Sequence, residues 1–260
     1  MNKTILITGA TSGFGKAIAE KFAQNGYTVC ITGRRADRLA ATKKELEEQY
    51  KTTVITSAFD IRDKHQVEQA ITALKTKVDR IDILVNNAGL AAGLSTIDEG
   101  DTDDWDTMID TNLKGLLYVT RQIAPMMTKQ ASGHIFNIGS TAAKMVYKNG
   151  NVYCATKFAV DALNQAMRID LLNYGIKVTA IHPGMAETEF SLVRFKGDEE
   201  RAKNVYTGFK AIQPEDIADI VYFSATLPPH LCINDLTVTC LTQATSVYSI
   251  KEADRIQPQD

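Results

Sequence analysis

The sequence predicts one α/β domain built on a doubly wound parallel sheet with helices on both faces. Short apolar, β-branched runs alternate with stretches of helical periodicity, a glycine-rich turn follows the first of those runs, and no linker or repeat divides the 260 residues. A chain that is 44% hydrophobic and 23% charged can fill a core of that size. Parallel strands need crossover helices, so ligands are expected at the carboxyl ends of the strands.

Thr4-Ile5-Leu6-Ile7 reads as the first strand, followed by Thr8-Gly9-Ala10-Thr11-Ser12-Gly13-Phe14-Gly15 and a helical pattern to about Gly26. Strand, glycine turn and helix together aim backbone N–H groups and the positive helix end at a phosphate. The spacing of Gly9, Gly13 and Gly15 departs from the usual dinucleotide fingerprint, and a glycine turn by itself is weak evidence. A second strand, Tyr27–Thr32, runs into Gly33-Arg34-Arg35. An enzyme that selects NAD places a carboxylate near this point to hold the ribose hydroxyls, whereas two guanidinium groups suit a 2′-phosphate. NADP is therefore the expected cofactor; the bland alternative is a basic helix start.

A helix from Asp37 to Tyr50 and a third strand, Thr53–Phe59, lead to Asp60-Ile61. Asp60 is a candidate for the adenine amino group, although capping of the next helix explains Asp60 or Asp63 almost as well. A fourth strand, Ile81–Val85, ends in Asn86-Asn87-Ala88-Gly89, small and amide residues that let the chain pass close to a flat ligand. Periodicity then runs from Asp103 to about Gln130 and contains Asn112, for which an ordinary exposed position is expected over a local bend. His134–Ile138 is the fifth strand and delivers Gly139-Ser140-Thr141 to the same edge; Ser140 either caps a turn or holds a carbonyl oxygen.

Tyr153-Cys154-Ala155-Thr156-Lys157 puts a phenol and an ammonium one helical turn apart. A phenol of pKa about 10 is a poor acid or base near neutrality, and a neighbouring cation favours its anion. Taken alone, Tyr-x-x-x-Lys is more often two unrelated residues on an amphipathic helix. Lys177–Ile181 is a further strand, leading to His182-Pro183-Gly184. From Met185 to Ile212 the chain is charged and without clear strand character, and is expected to be a substrate lid within the single 1–260 domain. Pro214-Glu215-Asp216 opens a helix to about Ala225, and Leu236–Leu241 is the final strand.

The net charge of −2 gives no basic field for nucleic acid, and the short run before Gly9 leaves no room for a secretory core. No apolar run is long enough for a bilayer span. Cys30, Cys154, Cys232 and Cys240 are scattered, as are the four histidines, so a reduced cytoplasmic setting and no protein-built metal site are expected.

Thr8-Gly9-x-x-x-Gly13-x-Gly15, Asn86-Asn87-Ala88-Gly89, Asn112, Ser140, Tyr153-x-x-x-Lys157 and Pro183-Gly184, in this order, resemble the short-chain dehydrogenase/reductases over nearly the whole chain. Within that family the sequence is similar to the NADP-dependent 3-hydroxy acid dehydrogenases, which include serine and malonic semialdehyde enzymes. Asp104–Asn112, Gly150–Tyr153 and Glu189–Asp198 carry this closer likeness. The resemblance implies a Rossmann-type sheet, a homotetramer and four catalytic residues. Tyr153 would exchange a proton with the substrate oxygen, Lys157 would lower the tyrosine pKa and bind the nicotinamide ribose, Ser140 would position the oxygen, and Asn112 would support a water path. Pro183, Gly184 and Thr188 become candidate contacts to the cofactor carboxamide. Arg194 and Lys196 are candidates for a substrate carboxylate, Arg194 preferred for its two-pronged fork. Two other functions stay open: reduction of a neutral ketone, sugar or acyl thioester by the same machinery, and NADP sensing without catalysis.

Overall fold

The computed structural model describes residues 2–256. Seven strands, β1 (Thr4–Ile7), β2 (Thr28–Gly33), β3 (Val54–Ala58), β4 (Ile83–Asn86), β5 (Gly133–Ile138), β6 (Ile176–Pro183) and β7 (Asp235–Val238), form one sheet in the order β3-β2-β1-β4-β5-β6-β7. Every pairing is parallel. The order reverses between β1 and β4, where crevices for ligands open in such sheets.

The strand sequences are apolar on both faces because both are covered. Ile5, Ile7, Val85, Phe136 and Ile138 point to one side and pack with α1 (Gly13–Gln24), α2 (Ala36–Tyr50) and, later in the chain, the helix Pro214–Ala225. Leu6, Leu84 and Ile135, one residue out of phase, point to the other side. There they meet α3 (Lys64–Lys75), α5 (Leu116–Gln130) and α6 (Asn151–Leu171). Full burial of one such Ile, Leu or Phe side chain is worth about 1.5–3 kcal/mol, so the two-sided alternation is the main source of stability.

The long helix expected after Asp103 is interrupted. α4 (Thr102–Ile109) passes through a π-helical turn, Asp110–Gly115, before continuing as α5. The extra residue in that turn rotates Asn112 inward, to 2% exposure, and overturns its expected exposed position. Segment 185–212 also holds more regular structure than its charge suggested, with α7 (Phe190–Arg194) and α8 (Glu199–Asn204). Its two ends are joined: Ile212 N–H donates to the Met185 carbonyl at 3.0 Å and Glu187 N–H to the Ile212 carbonyl at 2.9 Å. α9 (Pro214–Ala225) starts at the expected proline, with Asp216 accepting the Gln213 N–H at 2.8 Å. The last strand stops at Val238, short of Leu241, which is 80% exposed.

Candidate active site

A cleft of about 540 Å³ lies at the carboxyl edge of the sheet, between the ends of β1, β2, β4, β5 and β6 and segment 185–212. Its floor is stitched by side chain to backbone bonds. Thr8 Oγ1 accepts the N–H groups of Asn87 at 3.1 Å and Ala88 at 3.0 Å, while Asn87 Nδ2 donates to the Thr8 carbonyl at 2.9 Å and the Gly9 carbonyl at 3.1 Å. Gly9 has φ +67°, and a Cβ there would stand 2.8 Å from Ala88 Cα. Only glycine allows the β1 turn to lie this close to the β4 end. Thr11, Ser12, Gly13 and Phe14 line the cleft, and Ser12 makes no side-chain cap, so the first-turn N–H groups of α1 remain for an anion. Two of the expected contacts, Ala10 and Gly15, are not among the lining residues. Ala10 is fully buried in the core, and Gly15 is buried against Asn87 Nδ2 and the Gly9 carbonyl, each 2.5 Å from where its Cβ would be. Both residues shape the turn from behind.

Arg34 and Arg35 stand at the β2 end of the cleft. Arg34 is exposed, while Arg35 donates to Thr11 Oγ1 at 2.7 Å, Ser12 Oγ at 3.1 Å and Glu189 at 3.0 Å. Arg38 reaches the other oxygen of Glu189 at 2.6 Å. Burial works to raise the Glu189 pKa, but the bonds from Arg38, Arg35 and Ser12 hold it below the ordinary value. Asp63, not Asp60, caps α3 by accepting from His65 N and Gln66 N; Asp60 is held by Arg62 at 2.6 Å and lines the cleft together with Ile61. Ala88, Gly89, Pro183, Gly184 and Thr188 complete the long wall. These residues fit NADP: N–H groups for the pyrophosphate, guanidinium groups for the 2′-phosphate and a carboxylate near the adenine end.

Tyr153 and Lys157, both on α6, face the far end of the same cleft, with Ser140 opposite. Tyr153 is 8% exposed, between Phe190, whose ring centroid is 5.6 Å away, and the Arg194 guanidinium, 4.9 Å from its own centroid. Burial, followed by the charge of Tyr147, pushes the Tyr153 phenol well above its ordinary pKa, and Arg194 and a hydrogen bond with Ser140 oppose that rise. Lys157 lies one helical turn further along α6. Its Nζ lies 5.9 Å from the tyrosine ring centroid and donates to the Ile138 carbonyl at 2.9 Å, and burial pulls its own pKa down to about 8. The Arg194 guanidinium carbon, at 4.9 Å, stands nearer the tyrosine ring centroid than this ammonium does. Asn112 does not line the cleft; its amide accepts the Leu90 N–H at 2.8 Å and donates to the Leu90 carbonyl at 2.8 Å and Thr156 Oγ1 at 3.1 Å. It thereby fixes the chain that continues from β4 against α6.

The family model of the short chain dehydrogenases matches residues 3–198. This chain belongs to the short-chain dehydrogenases. It is 46% identical over 247 residues to an NADP-dependent 3-hydroxy acid dehydrogenase of Salmonella typhi, covering 95% of this chain and 98% of that one. It is 41% identical over 251 residues to sulfoacetaldehyde reductase 2 of Chromohalobacter salexigens, covering 96% and 99%. Among solved structures, the closed form of a serine dehydrogenase complexed with NADP⁺ superposes with a TM-score of 0.89 at 42% identity, covering 96% of this chain and 99% of that one.

Set in a short-chain dehydrogenase, Arg194 and Lys196 part company. Arg194 turns into the cleft, where it donates to the Tyr147 hydroxyl and its buried Nε–H has no partner among the described residues. Lys196 turns out and pairs with Asp104 at 3.0 Å and Asp101 at 3.4 Å, so it is removed from the carboxylate candidates. Tyr147, Arg38 and Glu189 are site residues that the sequence reading missed. Tyr147 precedes the start of α6, outside any helical register with Tyr153, and Glu189 meets its arginines across more than 150 positions, so neither carries a local signal. Asp161, His182 and Asp235 come together closely enough to suit a cation, but the Lys144 ammonium already lies 3.1 Å from Asp161 and 2.7 Å from Asp235. No helix among the described residues is long and apolar enough to cross a membrane.

Proposed function

We propose that this NADP-dependent short-chain dehydrogenase interconverts a small 3-hydroxy acid, of the serine, 3-hydroxypropionate or 3-hydroxyisobutyrate type, and its 3-oxo acid or semialdehyde. The observation that carries the substrate class is Arg194. A buried guanidinium N–H without a partner, 4.9 Å from the centroid of the Tyr153 ring by its carbon, calls for an anionic acceptor beside the reacting carbonyl.

NADP, when bound, supplies or accepts the hydride. The chain does the rest. Arg34 and Arg35 take the 2′-phosphate, and Asn87, Ala88 and Gly89 let the carrier lie close to the β4 end. Tyr153 donates a proton to the substrate oxygen in reduction and accepts it in oxidation. The high pKa of the buried phenol suits the donor role, and Arg194 and Ser140 stabilise the phenolate left behind. Ser140 orients the substrate oxygen by hydrogen bonding. Lys157 holds the nicotinamide ribose, and its depressed pKa lets it release a proton near neutrality. Asn112 supports the water path beside Lys157, where Gly89 leaves the room: a Cβ on Gly89 would be 3.2 Å from Asn112 Oδ1 and 3.6 Å from Lys157 Nζ. Segment 185–212 is the lid that excludes water, with Phe190 and Arg194 on its inner side.

The likeness to a sulfoacetaldehyde reductase favours a second reading at the same site. Malonic semialdehyde and sulfoacetaldehyde both carry one methylene between the aldehyde carbon and an anionic head, so one arginine can serve either. The reading includes a cytoplasmic setting, supported by four free cysteines, and a homotetramer, supported by exposed Phe158, Ile169 and Leu172 along one face of α6 and its extension. The test compares each acid, and the sulfonate, with its methyl ester. Turnover should require the free anion and fall at least about 100-fold in Arg194→Ala, the loss of a buried charge-assisted pair. Equal turnover of acids and esters would overturn the carboxylate assignment.

A further inference from the structure

His182 is completely buried directly behind Ser140. Its Nε2 lies 3.0 Å from Asp235 and 3.5 Å from Asp161, and its Nδ1 lies 3.3 Å from the Ser140 N and 3.2 Å from the Ser140 carbonyl oxygen. Gly139 makes this approach possible, because any Cβ there would collide with the imidazole. The charged groups facing the ring are Asp161 from α6, Asp235 from β7 and Lys144 from the turn after Ser140, and Lys144 bonds both carboxylates. Nothing in the proposed chemistry uses this cluster.

We infer that His182 is a positioning residue, holding the Ser140 backbone through one hydrogen bond when neutral and through a different one when protonated. The inference rests on the reading of Ser140 as the group that orients the substrate oxygen. With Nε2–H donating to Asp235, the neutral ring has a lone pair at Nδ1 and accepts the Ser140 N–H. A second proton goes onto Nδ1, which then donates to the Ser140 carbonyl and can no longer accept the N–H. Ser140 Oγ accepts from Ala142 N at 3.1 Å, so a shift in this backbone is passed to the hydroxyl. Burial and Lys144 depress the His182 pKa against the opposing pull of Asp235 and Asp161, so the neutral form holds at pH 7. Acidification should therefore cost turnover by displacing Ser140.

The experiment follows the Ser140 amide resonance in protein labelled with ¹⁵N-serine, and in parallel the pH profile of kcat with 3-hydroxypropionate and NADP. The amide should titrate with the His182 ring, at one midpoint below 6.5, the ordinary histidine pKa. His182→Asn, whose amide oxygen can accept the Ser140 N–H but cannot titrate, should keep turnover at pH 7 and lose the acid-side fall. Lys144→Met should raise the midpoint and Asp235→Asn lower it, each by about one pH unit, as expected for removing one charge beside a buried ring. Opposite shifts from two partly exposed positions are not what a purely structural role would give. A Ser140 amide that ignores the His182 titration, or midpoints unmoved in both charge variants, overturns the inference. Unchanged turnover in Ser140→Ala overturns instead the reading of Ser140 on which it rests, and the amide titration distinguishes the two.

Discussion

Lys157→Met should make the ligand-free protein more stable while abolishing turnover. The native ammonium is 7% exposed, and its pKa is drawn from 10.5 to about 8 by burial. At pH 7 a drop of that size corresponds to about 3 kcal/mol of native-state penalty, at about 1.4 kcal/mol for each tenfold change. Methionine removes the penalty but leaves the Ile138 carbonyl without its donor, a loss of about 1–2 kcal/mol, so the net gain is about 1–2 kcal/mol. The sign with pH follows from the depressed value. Between about 8 and 10.5 the unfolded lysine holds a proton that the native one has released, so native stability rises with pH through that window. From pH 7 to pH 9.5 the lysine protein should gain about 2 kcal/mol relative to the methionine variant, erasing the advantage of the latter. Urea unfolding at both pH values, at one fixed protomer concentration, measures the difference directly. A stability difference independent of pH between 7 and 9.5 would refute the premise that Lys157 is a buried charge held against its solvation.

At the other end of the cleft, replacing Arg34 and Arg35 with methionine should weaken NADP by about 2–4 kcal/mol and leave NAD nearly unaffected, because only the former carries the 2′-phosphate. Calorimetric titration with both cofactors checks it, and equal losses would contradict phosphate recognition. Glu189→Gln should tighten binding of 2′,5′-ADP severalfold and leave 5′-AMP unchanged, since the carboxylate that now occupies Arg35 and Arg38 competes with the phosphate. An equal effect on both nucleotides would indicate loosening of the lid in place of competition.

Much of this site is legible in the sequence because its parts are local. The Thr8–Gly15 turn, Asn87–Gly89, Ser140 and the Tyr153–Lys157 pair each sit at a strand end or on one helix face, where spacing alone determines direction. What escaped depends on partners distant in the chain. A π-turn is one extra residue in an otherwise helical pattern, and the Leu90 backbone that Asn112 bonds from it lies 22 residues away. Within a charged segment only the fork of Arg194 sets it above Lys196; Asp101 and Asp104, nearly a hundred positions earlier, take the lysine and leave the arginine to the cleft. The surroundings of Tyr153 are distant in the chain for the same reason. Helical spacing brought out the lysine, whereas desolvation and Arg194 come from the packed lid.

In the proposed chemistry the Tyr153 phenol moves the proton at the substrate oxygen while the rest of the cleft holds the carrier. Tyr153→Phe removes one oxygen from a buried ring and leaves the packing against Phe190 in place. Measured side by side, NADPH affinity by fluorescence should be unchanged within about twofold, and turnover of the 3-hydroxy acid should fall by at least about 1,000-fold. Turnover that survives in the phenylalanine protein would contradict the account.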